Sequence, residues 1–170
     1  MGLRTKPRAN LLTAGQQAMQ SLDITFRPSA ELISLVRCFA GDFYARIVPH
    51  RDVAHRLEIA THELLDNAAK YSADGETSLA IQFDARASAI LVRTENRAHD
   101  PQITRLRRVF EEMSIAPSAD AYYTDSMRRT AKRKSGSGGL GLPRIWAESE
   151  MDLKLSVNGP RVTIVAQGRI

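Results

Sequence analysis

The sequence is poor in the residues that build cross-linked, membrane-spanning or base-stacking structures. Cys38 is the one cysteine among 170 residues, which excludes an intrachain disulfide. It falls among Leu35, Val36 and Phe39 on an apolar stretch, so a buried structural thiol is expected. No apolar run approaches the roughly 20 residues that a membrane span needs. The positive charges near the start adjoin no apolar h-region, so no secretory signal is expected, and the expected location is cytoplasmic. Aromatic residues make up 6% of the chain, and the basic runs have few of them interleaved. That argues against nucleic acid as a partner despite a net charge of +5. The charge is concentrated in Arg4, Lys6 and Arg8 and in a denser run of Arg128, Arg129, Lys132, Arg133 and Lys134. Such runs read as a solvated face or a phosphate-handling loop.

What is present is the composition of a soluble globular protein, 43% hydrophobic and 25% charged. The length suits one well-cored domain. Residues 1–20 are weakly periodic and read as a flexible tail, leaving 21–170 as a single domain.

Leu22-Asp23-Ile24-Thr25-Phe26 alternates apolar and polar residues and predicts a short strand. Pro28-Ser29 then offers a helix start with Ser29 as N-cap. The helix is expected to run to Val48 with Leu32, Leu35, Val36, Phe39, Phe43 and Ile47 as its apolar stripe. Pro49 closes it, and Asp52 is the expected cap of a second helix. Leu79, Ile81 and Phe83 alternate in one strand, and Ile90, Val92 and Thr94 in the next, a hairpin pattern. Asp100-Pro101 opens a third helix, and a fourth helical piece spans 119–132. A glycine-rich run leads into a helix from Pro143 to Glu150. Leu153, Leu155 and Val157, then Val162, Ile164 and Ala166, mark a final hairpin around Asn158-Gly159. The order predicts an α+β domain, a two-layer sandwich whose mixed, mostly antiparallel sheet carries helices on one face. Trp146 is expected to pack the last helix onto the sheet, and Tyr122 and Tyr123 to pack in the core or else to shape the lid or the partner surface.

Two stretches carry chemistry. In the second helix Glu63, Asn67 and Lys70 fall at i, i+4 and i+7 and share a face. Val53, Leu57, Ala60, Leu64, Ala68 and Tyr71 form an apolar stripe about a quarter turn away at about 100° per residue. The helix would thus press its stripe into a core and hold a carboxylate, an amide and an ammonium at the core's edge. The second stretch is Ser135-Gly136-Ser137-Gly138-Gly139-Leu140-Gly141-Leu142, just before a helix. Glycines permit close backbone approach, and a helix N-terminus adds about half a positive charge, so the stretch suits a phosphate. It has no Gly-Lys-Ser/Thr ending of a P-loop and follows no βαβ unit. His50, His55, His62 and His99 show no metal-ligand spacing, and His55 and His62 are expected on a solvated face.

Together, Glu-x-x-x-Asn-Ala-x-Lys-Tyr and a downstream Gly-x-Gly-Gly-Leu-Gly-Leu resemble the GHKL ATP-binding superfamily, over roughly residues 22–167. The nearest likeness is to the small anti-sigma-factor serine/threonine switch kinases of bacterial partner-switching systems. The resemblance implies a Bergerat-type fold and an ATP- and Mg²⁺-dependent protein serine/threonine kinase. Glu63 would be the catalytic base and Asn67 the metal ligand. Lys70, Gly136, Gly138, Gly139, Leu140 and Gly141 would lie along the phosphates. The implied partner is a small anti-sigma-factor-antagonist-like protein, or a sigma factor, and the resemblance allows a homodimer. The family's Asp-x-Gly-x-Gly adenine box is missing. In its place stands Arg93-Thr94-Glu95-Asn96-Arg97-Ala98, which leaves Glu95 and Asn96 as candidates for the adenine edge. An asparagine there and a long helical insert, here 103–133, resemble the switch kinases of surface-attachment and biofilm signalling. The alternative reading is a nucleotide-regulated partner-binding module without phosphotransfer. A histidine-kinase fragment is disfavoured, because no helical hairpin is expected upstream.

Overall fold

The computed structural model describes residues 19–132 and 139–170. Strand β1 (Met19–Phe26) is followed by helices α1 (Ala30–Ile47) and α2 (Arg51–Tyr71). The hairpin β2 (Thr77–Asp84) and β3 (Ala89–Arg97) comes next, then α3 (Asp100–Ile115) and α4 (Ala119–Ala131). Helix α5 (Gly141–Glu148) and the hairpin β4 (Asp152–Asn158) and β5 (Arg161–Arg169) complete the chain. The sheet order is β1-β2-β3-β5-β4, and every neighbouring pair is antiparallel. The sheet is therefore antiparallel throughout rather than mixed, and the α+β class stands. No helix among the described residues is long and apolar enough to cross a membrane.

Alternation decides which face of the sheet meets the helices. Leu79, Ile81, Ile90, Val92, Thr94, Val162 and Ile164 are buried, while their sequence neighbours turn to the other face. Helix α2 lies across β2 and β3 and buries Leu57, Ala60, Leu64, Leu65 and Ala68. Gly159, with φ at +56°, makes the tight turn between β4 and β5. Ser29 caps α1 by accepting a hydrogen bond from the Leu32 amide at 3.2 Å, as its sequence position predicts. Asp52 does not cap α2. It lies inside the first turn, where its charge complements the helix dipole, and His50 holds the cap position without a side-chain bond.

Helix α1 turns only part of its expected stripe inward: Val36 is buried and Phe43 and Ile47 pack against the core, but Leu32, Leu35 and Phe39 are exposed. Its buried residues are Val36, Ala40 and Tyr44, whereas Leu35 is 64% and Phe39 52% exposed. At Gly41 the helix lies close to α2, where a Cβ would meet Glu58 Oε1 at 3.0 Å. The Tyr44 hydroxyl then pairs with Thr61 Oγ1 at 2.5 Å inside the core. Cys38 shares the outward face and is exposed rather than buried. Trp146 packs beside the Tyr122 ring of α4, with centroids 6.3 Å apart, while Ile145 supplies the fully buried contact of α5.

Candidate functional site

Helix α5 begins where the glycine-rich run ends, and its first residue sits against α2. A Cβ at Gly141 would lie 2.7 Å from Glu63 Oε2 and 3.0 Å from Asn67 Nδ2. Glycine is the side chain that lets the two helices meet here, and it sets a carboxylate and an amide beside the helix N-terminus. Gly139, with φ at +138°, takes a conformation that suits glycine alone. Pro143 occupies the first turn of α5, where a missing N–H costs nothing.

A cleft opens between α2, α3 and the start of α5, enclosing about 430 Å³ including its mouth. Tyr71, Leu106, Val109, Leu142 and Pro143 give it apolar walls, and Asn67, Gln102 and Arg105 supply its polar groups. Apolar walls with a few polar groups are the usual make-up of a small-molecule site. Two of those groups are unsatisfied: Asn67 Nδ2 and Gln102 Oε1 are buried without a hydrogen-bond partner among the described residues. A buried polar atom left so costs about 1–3 kcal/mol, which a ligand would recover. The orientation of an amide is an assignment, so either atom of the Asn67 amide can face the ligand.

That orphaned amide fits a Mg²⁺–phosphate ligand. Among the described residues there is no group of three or more His, Cys, Asp or Glu side chains that could cage a metal. Mg²⁺ needs none when substrate phosphates and water complete its shell.

Glu63 is only partly exposed, and its Oε1 accepts a hydrogen bond from Arg144 Nη1 at 3.1 Å. Arg144 in turn donates from Nε to Glu148 Oε2 at 2.7 Å. Burial pushes the Glu148 carboxyl up, but hydrogen bonds from Arg144 and Tyr123 outweigh it and hold the group below its ordinary value. On the far side of Gly139, Arg105, Arg108 and Arg129 line a second, more polar recess with Glu112 and Ser126. Burial raises the Glu112 carboxyl as well, and bonds from Arg108, Tyr122 and Arg129 bring it below its ordinary value.

The structure thus brings together Glu63, Asn67, Gly139 and Gly141, four of the residues singled out in the sequence. Leu140 stands just before α5, where its carbonyl accepts from the Arg144 amide at 2.8 Å. Lys70 is exposed, with Nζ 5.5 Å from the centre of the Tyr71 ring that lines the cleft. Gly136 and Gly138 lie outside the described residues. Glu95 is not brought to the cleft. It lies in register with Ser78 and Thr163 on the sheet face away from the helices, paired with Arg161 Nε at 3.4 Å. Asn96 has the opposite parity and shares the helix-covered side, donating to the Arg97 carbonyl at 3.0 Å. His62 turns Nδ1 into the structure without a partner there, while the His55 side chain is 72% exposed.

Gln102, Arg105 and Arg144 were not singled out in the sequence. A signal for Gln102 exists, because it precedes Leu106 and Val109 at i+4 and i+7 as a polar residue on an apolar stripe. Arg144 has no such signal, since its partner Glu63 is remote in the chain.

No family model matches the chain, and no curated protein does. Among solved structures it is similar to a chain of the SiaB–SiaC complex from Pseudomonas aeruginosa. The two share 14% identity at a TM-score of 0.65, over 92% of this chain and 93% of that one. At that identity the likeness is one of fold.

Proposed function

We propose that the cleft binds ATP with Mg²⁺ and that the protein is a serine/threonine kinase of a bacterial partner-switching system. The observation that carries this reading is the convergence at Gly141, where the glycine-rich run meets Glu63 and Asn67. Two motifs that are distant in the chain form one edge of one cleft.

The apolar walls suit a base, and Gln102 offers its amide to the base edge, since an amide pairs with adenine in bidentate fashion. Asn67 would hold Mg²⁺ together with the phosphates, and the ion's charge offsets theirs. Gly139 and Gly141 let backbone amides approach the phosphates at the start of α5. Glu63 then acts on the acceptor. The hydroxyl oxygen of a serine or threonine bonds to the γ-phosphorus as the bond from that phosphorus to the β,γ-bridging oxygen breaks. The electron pair leaves on ADP, and the hydroxyl proton passes to Glu63 Oε2. Positioning and charge compensation suffice for this chemistry, so one carboxylate and a cradle of amides can carry it.

The acceptor in this reading is a small protein of the anti-sigma-factor-antagonist type. The fold neighbour comes from a complex of two proteins, which favours a protein partner. The test is transfer of labelled γ-phosphate from Mg·ATP to a purified protein of that type. Glu63→Gln is expected to bind ATP normally and to lose transfer by roughly 100-fold or more. Wild-type transfer rates in Glu63→Gln would remove Glu63 as the base.

A second reading has its own support. With no Asp-x-Gly-x-Gly box and with Glu95 turned away from the cleft, nucleotide binding could regulate partner affinity without transfer. ATP-dependent partner binding in the absence of labelled product would select it.

A further inference from the structure

We propose that Arg144 is the positioning residue for Glu63, an inference that rests on the kinase reading above. Arg144 follows Gly141 by about one turn of α5, so the helix that closes on the cleft also reaches the base. Its guanidinium bridges two carboxylates: Nη1 lies 3.1 Å from Glu63 Oε1 and Nε 2.7 Å from Glu148 Oε2. Only the planar fork of arginine serves both, since a lysine ammonium would be a single flexible point charge. Tyr123, from α4, completes the chain by hydrogen bonding to Glu148.

The geometry divides the two oxygens of Glu63 between two tasks. Oε1 is held by Arg144, while Oε2 faces the Gly141 backbone at the edge of the cleft. A glutamate has several rotatable bonds, and anchoring one oxygen fixes where the other points. A base oriented by a third group is the arrangement that activated nucleophile sites use in general. The Arg144 side chain is 39% exposed and already pairs with Glu148 on its own helix, whereas the Glu63 side chain is only 18% exposed. The pair therefore also spares a part-buried carboxylate from standing unpaired, and a kinetic readout is needed to separate positioning from stability. Reaching across to α2 ties the position of the carboxylate to that of the glycine segment.

The test measures phosphate transfer from labelled Mg·ATP to a purified protein of the anti-sigma-factor-antagonist type. Arg144→Met is expected to lower kcat by roughly 10- to 100-fold while KM for ATP moves by no more than about twofold. Arg144→Lys should recover part of the loss. Because Arg144 acts through Glu63, the double variant Glu63→Gln/Arg144→Met should be no slower than Glu63→Gln alone. Glu148→Gln, which releases Arg144 from its other side, should lower kcat in the same direction and stands in if the Met variant fails to fold. Wild-type kcat in Arg144→Met, or a double variant slowed by the full product of the single effects, would overturn the proposal and leave the kinase reading intact. A wild-type protein that binds Mg·ATP and transfers nothing would overturn both.

Discussion

Gly141 and Glu63 are in contact across two helices: a Cβ on the glycine would sit 2.7 Å from the carboxylate oxygen Oε2. The nearest atoms are the ends of flexible side chains, so Gly141→Ala would displace Glu63 and Asn67 rather than break the fold. Thermal melting should fall by only a few degrees, about 1 kcal/mol or less. Mg·ATP affinity, read by calorimetry, should drop by roughly tenfold or more as the Asn67 amide moves.

In the proposed nucleotide site, Gln102 would supply the polar group that meets the base. Gln102→Leu keeps the volume and removes the buried orphan acceptor, so the fold should be as stable as wild type or slightly more so. ATP affinity should fall by about tenfold and preference over GTP should shrink, because a lost bidentate pair costs about 1–3 kcal/mol. Competition titrations with the two nucleotides check this.

The inward face of α1 gives a prediction about stability alone. Val36→Ala removes buried apolar surface and should cost about 1–2.5 kcal/mol. Phe39→Ser, at a position 52% exposed, should cost well under about 1 kcal/mol, although phenylalanine is the larger side chain. Urea unfolding midpoints of the two variants test the assignment. Cys38 should also react with a thiol reagent in the native protein without unfolding, since it is exposed.

Tyr44 couples stability to alkaline pH. Burial pushes its phenol well above the ordinary range, the Thr61 bond works the other way, and the Glu58 charge adds a further rise. The unfolded chain therefore gives up this proton first, at about pH 10, while the native state keeps it. The stabilisation is full below that pH and is lost as pH climbs past it, with a slope of up to about 1.4 kcal/mol per pH unit. Tyr44→Phe should lack this extra slope in unfolding measurements between neutral and strongly alkaline pH. It should also be less stable near neutrality by about 1–3 kcal/mol, because Thr61 is left buried without its partner.

Much of this architecture is legible in local patterns. Alternation in Leu79–Phe83 and Ile90–Thr94 marks the central hairpin, and Asn158-Gly159 marks the last one. The helical spacing of Glu63 and Asn67 puts them on one face before any contact is known. The facing of α1 is less legible, because Leu35 and Phe39 are as apolar as Val36 and Tyr44. Which of them goes inward is set by the packing of α1 on α2, where Tyr44 meets Thr61 inside the core. Glu95 could have been separated from Asn96 by parity, since Ile90, Val92 and Thr94 already fix which residues of β3 face the helices. The Arg144–Glu63 pair and the cleft face of Arg105 arise only when α5 and α3 are packed beside α2. No spacing along the chain encodes that meeting.

The most direct test of the proposed nucleotide site is calorimetric titration of Mg·ATP into the wild-type protein and into Asn67→Ala. One-to-one binding by the wild type is expected, weakened by roughly tenfold or more in Asn67→Ala, since that variant removes the side chain proposed to hold Mg²⁺ with the phosphates. A wild-type protein that gives no binding isotherm, or an Asn67→Ala variant that binds as tightly as the wild type, would contradict the assignment of this cleft.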